Sequence, residues 1–200
     1  MLLTKISRFT ILGLALLLGM VSRGFAPQRG FTPIDVPGAS VTEAFGINPE
    51  GDIVGFYEAG PPPFVGHGFL LSKGVFTPIN VPFPGTFSAQ AQWINPEGDI
   101  VGRYADATGT RGFLLSKGVF TPINVPGASL TEANGINPQG VIVGAYDETG
   151  VHGFLLSKGV FTPIDVPGAS LTFASGINPR GDIVGLYSDA TGTHGFLLSK

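Results

Sequence analysis

The sequence predicts an all-β repeat fold, and three observations predict it. Three markers recur in fixed order: "FTPI" starts at 31, 76, 120 and 161, "INP" at 47, 94, 136 and 177, and "GFLLSK" at 68, 112, 153 and 195. Their spacings fall between 41 and 47 residues, the length of a blade of four strands rather than of a leucine-rich or ankyrin unit. Between the markers, apolar and β-branched runs alternate with Gly, Pro and Asn, with no helical period. In the third repeat the predicted strands are "VFTPINV", "LTEANGI", "VIVGAYD" and "HGFLLSK". Four such units predict a four-bladed β-propeller of four-stranded antiparallel blades, divided as 31–75, 76–119, 120–160 and 161–200.

The chain begins differently. Lys5 and Arg8 precede an apolar run from Phe9 to Val21, and small residues follow at Ser22, Gly24 and Ala26. This order predicts a signal peptide over residues 1–24, then a short linker at 25–30. The run is short for a membrane span, which needs about 20 apolar residues, so a membrane enters only if the segment stays uncleaved. Cleavage removes Lys5, Arg8 and Arg23, leaving 8 basic residues against 14 acidic and a net charge of −6. Such a domain is a poor partner for nucleic acid. Without cysteine it has neither disulfides nor a thiolate metal site, and packing alone must stabilise it after export.

The stretch "NPEGD" at 48–52 carries two carboxylates and an asparagine, as a metal loop does, but the repeats supply controls. Asn, Pro and Gly persist in all four copies, while the residue between Pro and Gly becomes Glu50, Glu97, Gln139 or Arg180, and the Asp becomes Val141 in the third. A calcium loop does not spare its anionic oxygens in this way; a hairpin needs only the turn-forming three. The motif is therefore read as a turn with ordinary exposed carboxylates. "FLLSKGVFTPI" predicts a second hairpin around Ser72, Lys73 and Gly74. "VPGAS" is the connection between blades. Pro33, Pro78, Pro122 and Pro163 interrupt FTPI, and a proline within a strand belongs on a sheet edge. FTPI then completes the blade begun by the preceding repeat. On this count the last blade lacks its edge strand, and the spare FTPI at 31–34 is expected to supply it and close the ring.

Aligned columns give the candidate contact residues. His67, His152 and His194 share a column with Arg111. Three imidazoles bind metal only where they converge, and blades around an axis hold them apart, so local hydrogen bonding across a turn is the reading preferred. Tyr57, Tyr104, Tyr146 and Tyr187 alternate in step with Ile53, Ile100, Ile142 and Ile183 and are expected to pack between blades. Glu43, Gln90 and Glu132, with Phe173 in the fourth copy, are expected to face a central channel. Trp93 replaces Gly46, Gly135 and Gly176 and is read as a gap filler, with a stacking platform as the alternative.

The combination "FTPIDVPGAS", "GINPEGDIVG" and "HGFLLSKG" resembles the HAF family of probable extracellular repeats across residues 31–200. The resemblance implies secretion and a repeat β-fold, and it implies no reaction. Arg111 departs from the family's signature His, and Val141 from the turn Asp. No catalytic residue, cofactor or metal is assigned, because no nucleophile elbow, zinc spacing or carboxylate pair survives comparison of the copies. The expectation is a secreted or periplasmic, non-enzymatic binding or cell-surface scaffold whose partner is a glycan or a cell-surface protein. A multivalent lectin-like module is the alternative, and a hydrolase comes last.

Export predicts that N-terminal sequencing of protein recovered outside the cytoplasm begins near residue 25. An intact Met1 on soluble cytosolic protein overturns it.

Overall fold

A computed structural model describes residues 30–60 and 65–199. The expected signal peptide and most of the linker lie outside the described residues. The chain separates into two compact units, Met1–Pro33 and Ile34–Lys200. Among the described residues there is no helix, and none long and apolar enough to cross a membrane.

Fifteen strands form four antiparallel meanders, each in simple up-down order. The first is β1 (Ala39–Ile47), β2 (Ile53–Ala59), β3 (Val65–Ser72) and β4 (Val75–Ile79). The second is β5 (Ser88–Ile94), β6 (Ile100–Asp106), β7 (Gly109–Ser116) and β8 (Val119–Ile123). The third is β9 (Leu130–Ile136), β10 (Ile142–Asp147), β11 (Val151–Ser157) and β12 (Val160–Ile164). The last has three strands, β13 (Leu171–Ile177), β14 (Ile183–Asp189) and β15 (Gly192–Leu198). One parallel pair, Thr110–Leu130, joins the second meander to the third.

Both turn assignments hold. In the INP hairpin the Asp52 amide donates to Asn48 Oδ1 at 2.8 Å, the Gly51 amide donates to the Asn48 carbonyl at 3.1 Å, and Gly51 has φ +85°. Asn48, Asn95 and Asn137 are buried, and Asn95 Nδ2 also donates to the Asn137 carbonyl at 3.2 Å, tying one hairpin to the next. Glu50 and Glu97 are exposed, as expected. Asp52, Asp99 and Asp182 are half-buried beside their asparagines, so these are structural acceptors. At the Ser-Lys-Gly turn, Lys117 (φ +51°) and Gly118 (φ +79°) are both left-handed, the two-residue hairpin geometry that follows strand twist. It delivers FTPI to the outer position of the first three meanders, where a proline forfeits no ladder bond.

Inside each meander, one ring lies over one glycine. Phe69, Phe113 and Phe154 are fully buried. A Cβ placed on Gly102 would lie 2.0 Å from the Gln90 carbonyl oxygen and 2.9 Å from Phe113 Cε1, and Gly55 and Gly144 are equally enclosed. The first strand of every meander carries a bulge beside this glycine, at Phe45, Gln92, Asn134 and Ser175, which bends the strand.

The cores lie between meanders. Val54 and Ile79 of the first pack with Ala91, Ile94, Ile100 and Tyr104 of the second. Val101 and Ile123 pack with Ala133, Ile136, Ile142 and Tyr146 of the third, and Val143 and Ile164 with Ala174 and Ile183 of the last. Tyr104 and Tyr146 thus take the packing role expected of their column. The ring is not closed by the N-terminal strand: among the described residues Phe31–Ile34 form no strand, Phe31 is fully exposed, and β15 pairs only with β14. The other three FTPI segments are each set in register by a two-residue turn. Phe31–Ile34 has no such turn before it among the described residues.

Phe113→Ala is expected to cost about 3–5 kcal/mol, and Phe196→Ala, at the equivalent but half-buried position, clearly less. Urea unfolding in dilute solution checks this, and equal losses would show that the last meander is covered.

Candidate binding site

The histidine column is a series of local pairs. His67, His152 and His194 stand opposite Tyr57, Tyr146 and Tyr187 in strand register, with ring centroids 5.2, 5.2 and 5.1 Å apart. Such cross-strand pairs stabilise a sheet. His152 Nδ1 lies 2.8 Å from Asp165 Oδ1, and His194 Nε2 lies 2.9 Å from Thr191 Oγ1. Arg111, opposite Tyr104, donates to the carbonyls of Thr110 and Ser129 at 3.1 and 3.0 Å. Among the described residues no three His, Cys, Asp or Glu gather as a metal would require.

The members of the inner column differ in their surroundings. Glu43 is exposed on the first meander. Glu132 is buried and its Oε1 accepts a close, charge-assisted hydrogen bond from Arg103 Nη1. Arg103 Nε also donates to Gln90 Oε1 at 2.9 Å, and Gln92 Nε2 donates to the same oxygen at 3.3 Å. Arg103 therefore bridges the second and third meanders. Glu132 is the more withdrawn from water of the two, and Arg103, still partly exposed, is held by the additional hydrogen bond to Gln90. Beside it lies a cleft of about 290 Å³ lined by Ser88, Gln90, Arg103, Tyr104, Ala105 and Thr110.

Arg103 was absent from the sequence-derived candidates. Its column reads Phe56, Arg103, Ala145, Leu186, so the signal was one charge among apolar residues, aligned with Glu132 on the neighbouring first strand. Trp93 is 39% exposed and fills no internal gap. The ideal Cβ of Gly46 lies 3.1 Å from Trp93 Cα, so the backbone makes the junction and the indole stays accessible.

Burial pushes the Tyr104 and Tyr146 hydroxyls above their ordinary pKa, with help from Asp106 and from Asp165 respectively. At the turns before the third strands, Asp106 accepts from the Thr108 hydroxyl and amide at 2.5 and 2.7 Å, and Asp189 accepts from Thr191 at 2.6 and 2.7 Å. Hydrogen bonds to the charged form hold both carboxyls below 3.8. The sequence matches no protein-family model and no curated protein.

A carboxyl depressed in the folded state contributes stability above its unfolded pKa, lost as pH falls through the folded one. Thr108→Val is expected to return Asp106 toward 3.8 in an NMR titration while leaving Asp189 depressed. An unchanged Asp106 overturns the Thr108 hydroxyl as the largest cause.

Proposed function

We propose that this protein is a secreted, non-enzymatic binding scaffold of the HAF-repeat type, its meanders arranged as successive blades of a propeller-like array. The observation that carries the reading is the Arg103–Gln90–Glu132 cluster with its adjoining cleft. It arises at one junction only, because only the second repeat has an arginine at this place. Three near-identical Tyr–His pairs and a Tyr–Arg pair support the sheets, so the repeats act as framework and the exception acts as site. Guanidinium, amide and hydroxyl groups beside the edge of Tyr104 suit a hydroxyl-rich ligand, and the accessible Trp93 indole offers a stacking face. A glycan is the ligand class these groups fit. Tyr104 and Tyr146, both buried, cannot offer their ring faces to sugar, which weighs against one equal pocket per repeat.

A glycan array checks this: binding is expected from the parent chain and is expected to fall at least tenfold in Arg103→Ala. Retained binding in that variant removes the cleft from the reading, and an array with no hits removes the glycan.

A further inference from the structure

The three internal junctions share one pattern, and the two ends of the array carry its unmatched halves. At each junction a valine from the second strand of one meander is covered by the next: Val54, Val101 and Val143 are all 0% exposed. Val184, at the same place in the last meander, is 50% exposed. On the other side of the first two junctions Ile94 and Ile136 are 2% exposed, and at the third Ile177 is half-buried, whereas Ile47 of β1 is 62% exposed. Ala91, Ala133 and Ala174 are fully buried, and Ala44 is exposed.

The glycines of the third strands locate the missing pieces. A Cβ on Gly68 would meet Ile79 at 3.2 Å and the Ala91 amide nitrogen at 3.4 Å. Gly112 would meet Ile123 at 3.1 Å and Ala133 at 3.5 Å, and Gly153 would meet Ile164 at 2.9 Å and Ala174 at 3.5 Å. On Gly195 it would meet only the Gly185 carbonyl, at 3.8 Å. The slot over Gly195 therefore lacks an FTPI isoleucine and a first-strand alanine. A cleft of about 460 Å³ opens nearby, lined by Leu155, Ile177, Ile183 and Leu198. In the earlier repeats the counterparts of Leu198, Leu115 and Leu156, pair with Phe120 and Phe161 of FTPI.

We propose that the chain assembles head to tail with a second copy of itself, the β1 face of one copy (Ala44, Ile47) covering the β14–β15 face of the other (Val184, Gly195, Leu198). The incoming copy's Phe31–Ile34 adds along β15 as the fourth strand, placing Phe31 opposite Leu198 and Ile34 opposite Gly195. The order FTPI, VPGAS, first strand then continues unbroken from one molecule into the next. A second copy is the occupant because its first-strand face carries the Ala, Ile and FTPI set in the register used at all three internal junctions. The contact joins two different surfaces, so it is heterologous and propagates into a ring or an open chain.

Sedimentation of the full chain over a concentration series tests this, with Ile47→Lys (head) and Val184→Lys (tail), both exposed in a single copy. The parent is expected to gain mass with concentration and each variant alone to stay monomeric. An equimolar mixture should form dimers and stop there, since one variant keeps an intact tail and the other an intact head. Thermal melts like the parent's in dilute solution confirm that both variants fold. A parent monomeric at every concentration overturns the proposal. So does association that persists in either variant alone, or a mixture that stays monomeric.

Discussion

The structure depends on a phenylalanine ring laid over a glycine. Gly55, Gly102 and Gly144 have no room for a methyl group, because a carbonyl oxygen of the first strand and the ring from the third strand already occupy that volume. The contact fixes three strands at once: the second supplies the glycine, the third the ring, and the first the carbonyl beside its bulge. A bent first strand then presents its alanine to the preceding meander, whose third-strand glycine leaves space for it. Close packing tolerates neither a larger residue nor a void at such a place, so "IVG" and "GF" must recur together in each repeat.

From that contact follows the unusual location of the core. Where it has the neighbour, each meander buries its second-strand valine against the meander that follows and its second-strand isoleucine against the one that precedes. Stability is then a sum over nearest-neighbour junctions, as in other stacked repeats. Two faces at the ends are left with the chemistry of a junction and no neighbour among the described residues. Val184 and Ile47 are exposed for the same reason that Val101 and Ile94 are buried.

The proposed site rests on a departure from the repeat. The Tyr–His pairs, the buried asparagines and the Lys-Gly turns each recur in three of the four meanders as framework. Arg103 has no counterpart, and it concentrates hydrogen-bonding capacity at a single junction by engaging Gln90 and Glu132 together. The cleft beside Arg103 is consequently polar on an otherwise apolar framework, and the Arg103–Glu132 pair is positioned by two neighbouring meanders rather than by one loop.

The sequence by itself determined the repeat, the four-strand unit, both hairpins and the outer place of FTPI, because these rest on local rules: strand alternation, positive φ at turn residues and the missing amide of proline. It also favoured a structural turn over a metal loop at "NPEGD", since the copies act as their own controls. Tertiary structure decided the rest. Whether Phe31–Ile34 finds β15 depends on a contact between distant parts of the sequence, which no local rule sets. Arg103 became visible only when β6 and β9 were brought together, because an ion pair across a junction leaves no spacing in the chain. Glu43 and Glu132 look alike in alignment, and one is exposed while the other is buried, because only Glu132 has a meander in front of it.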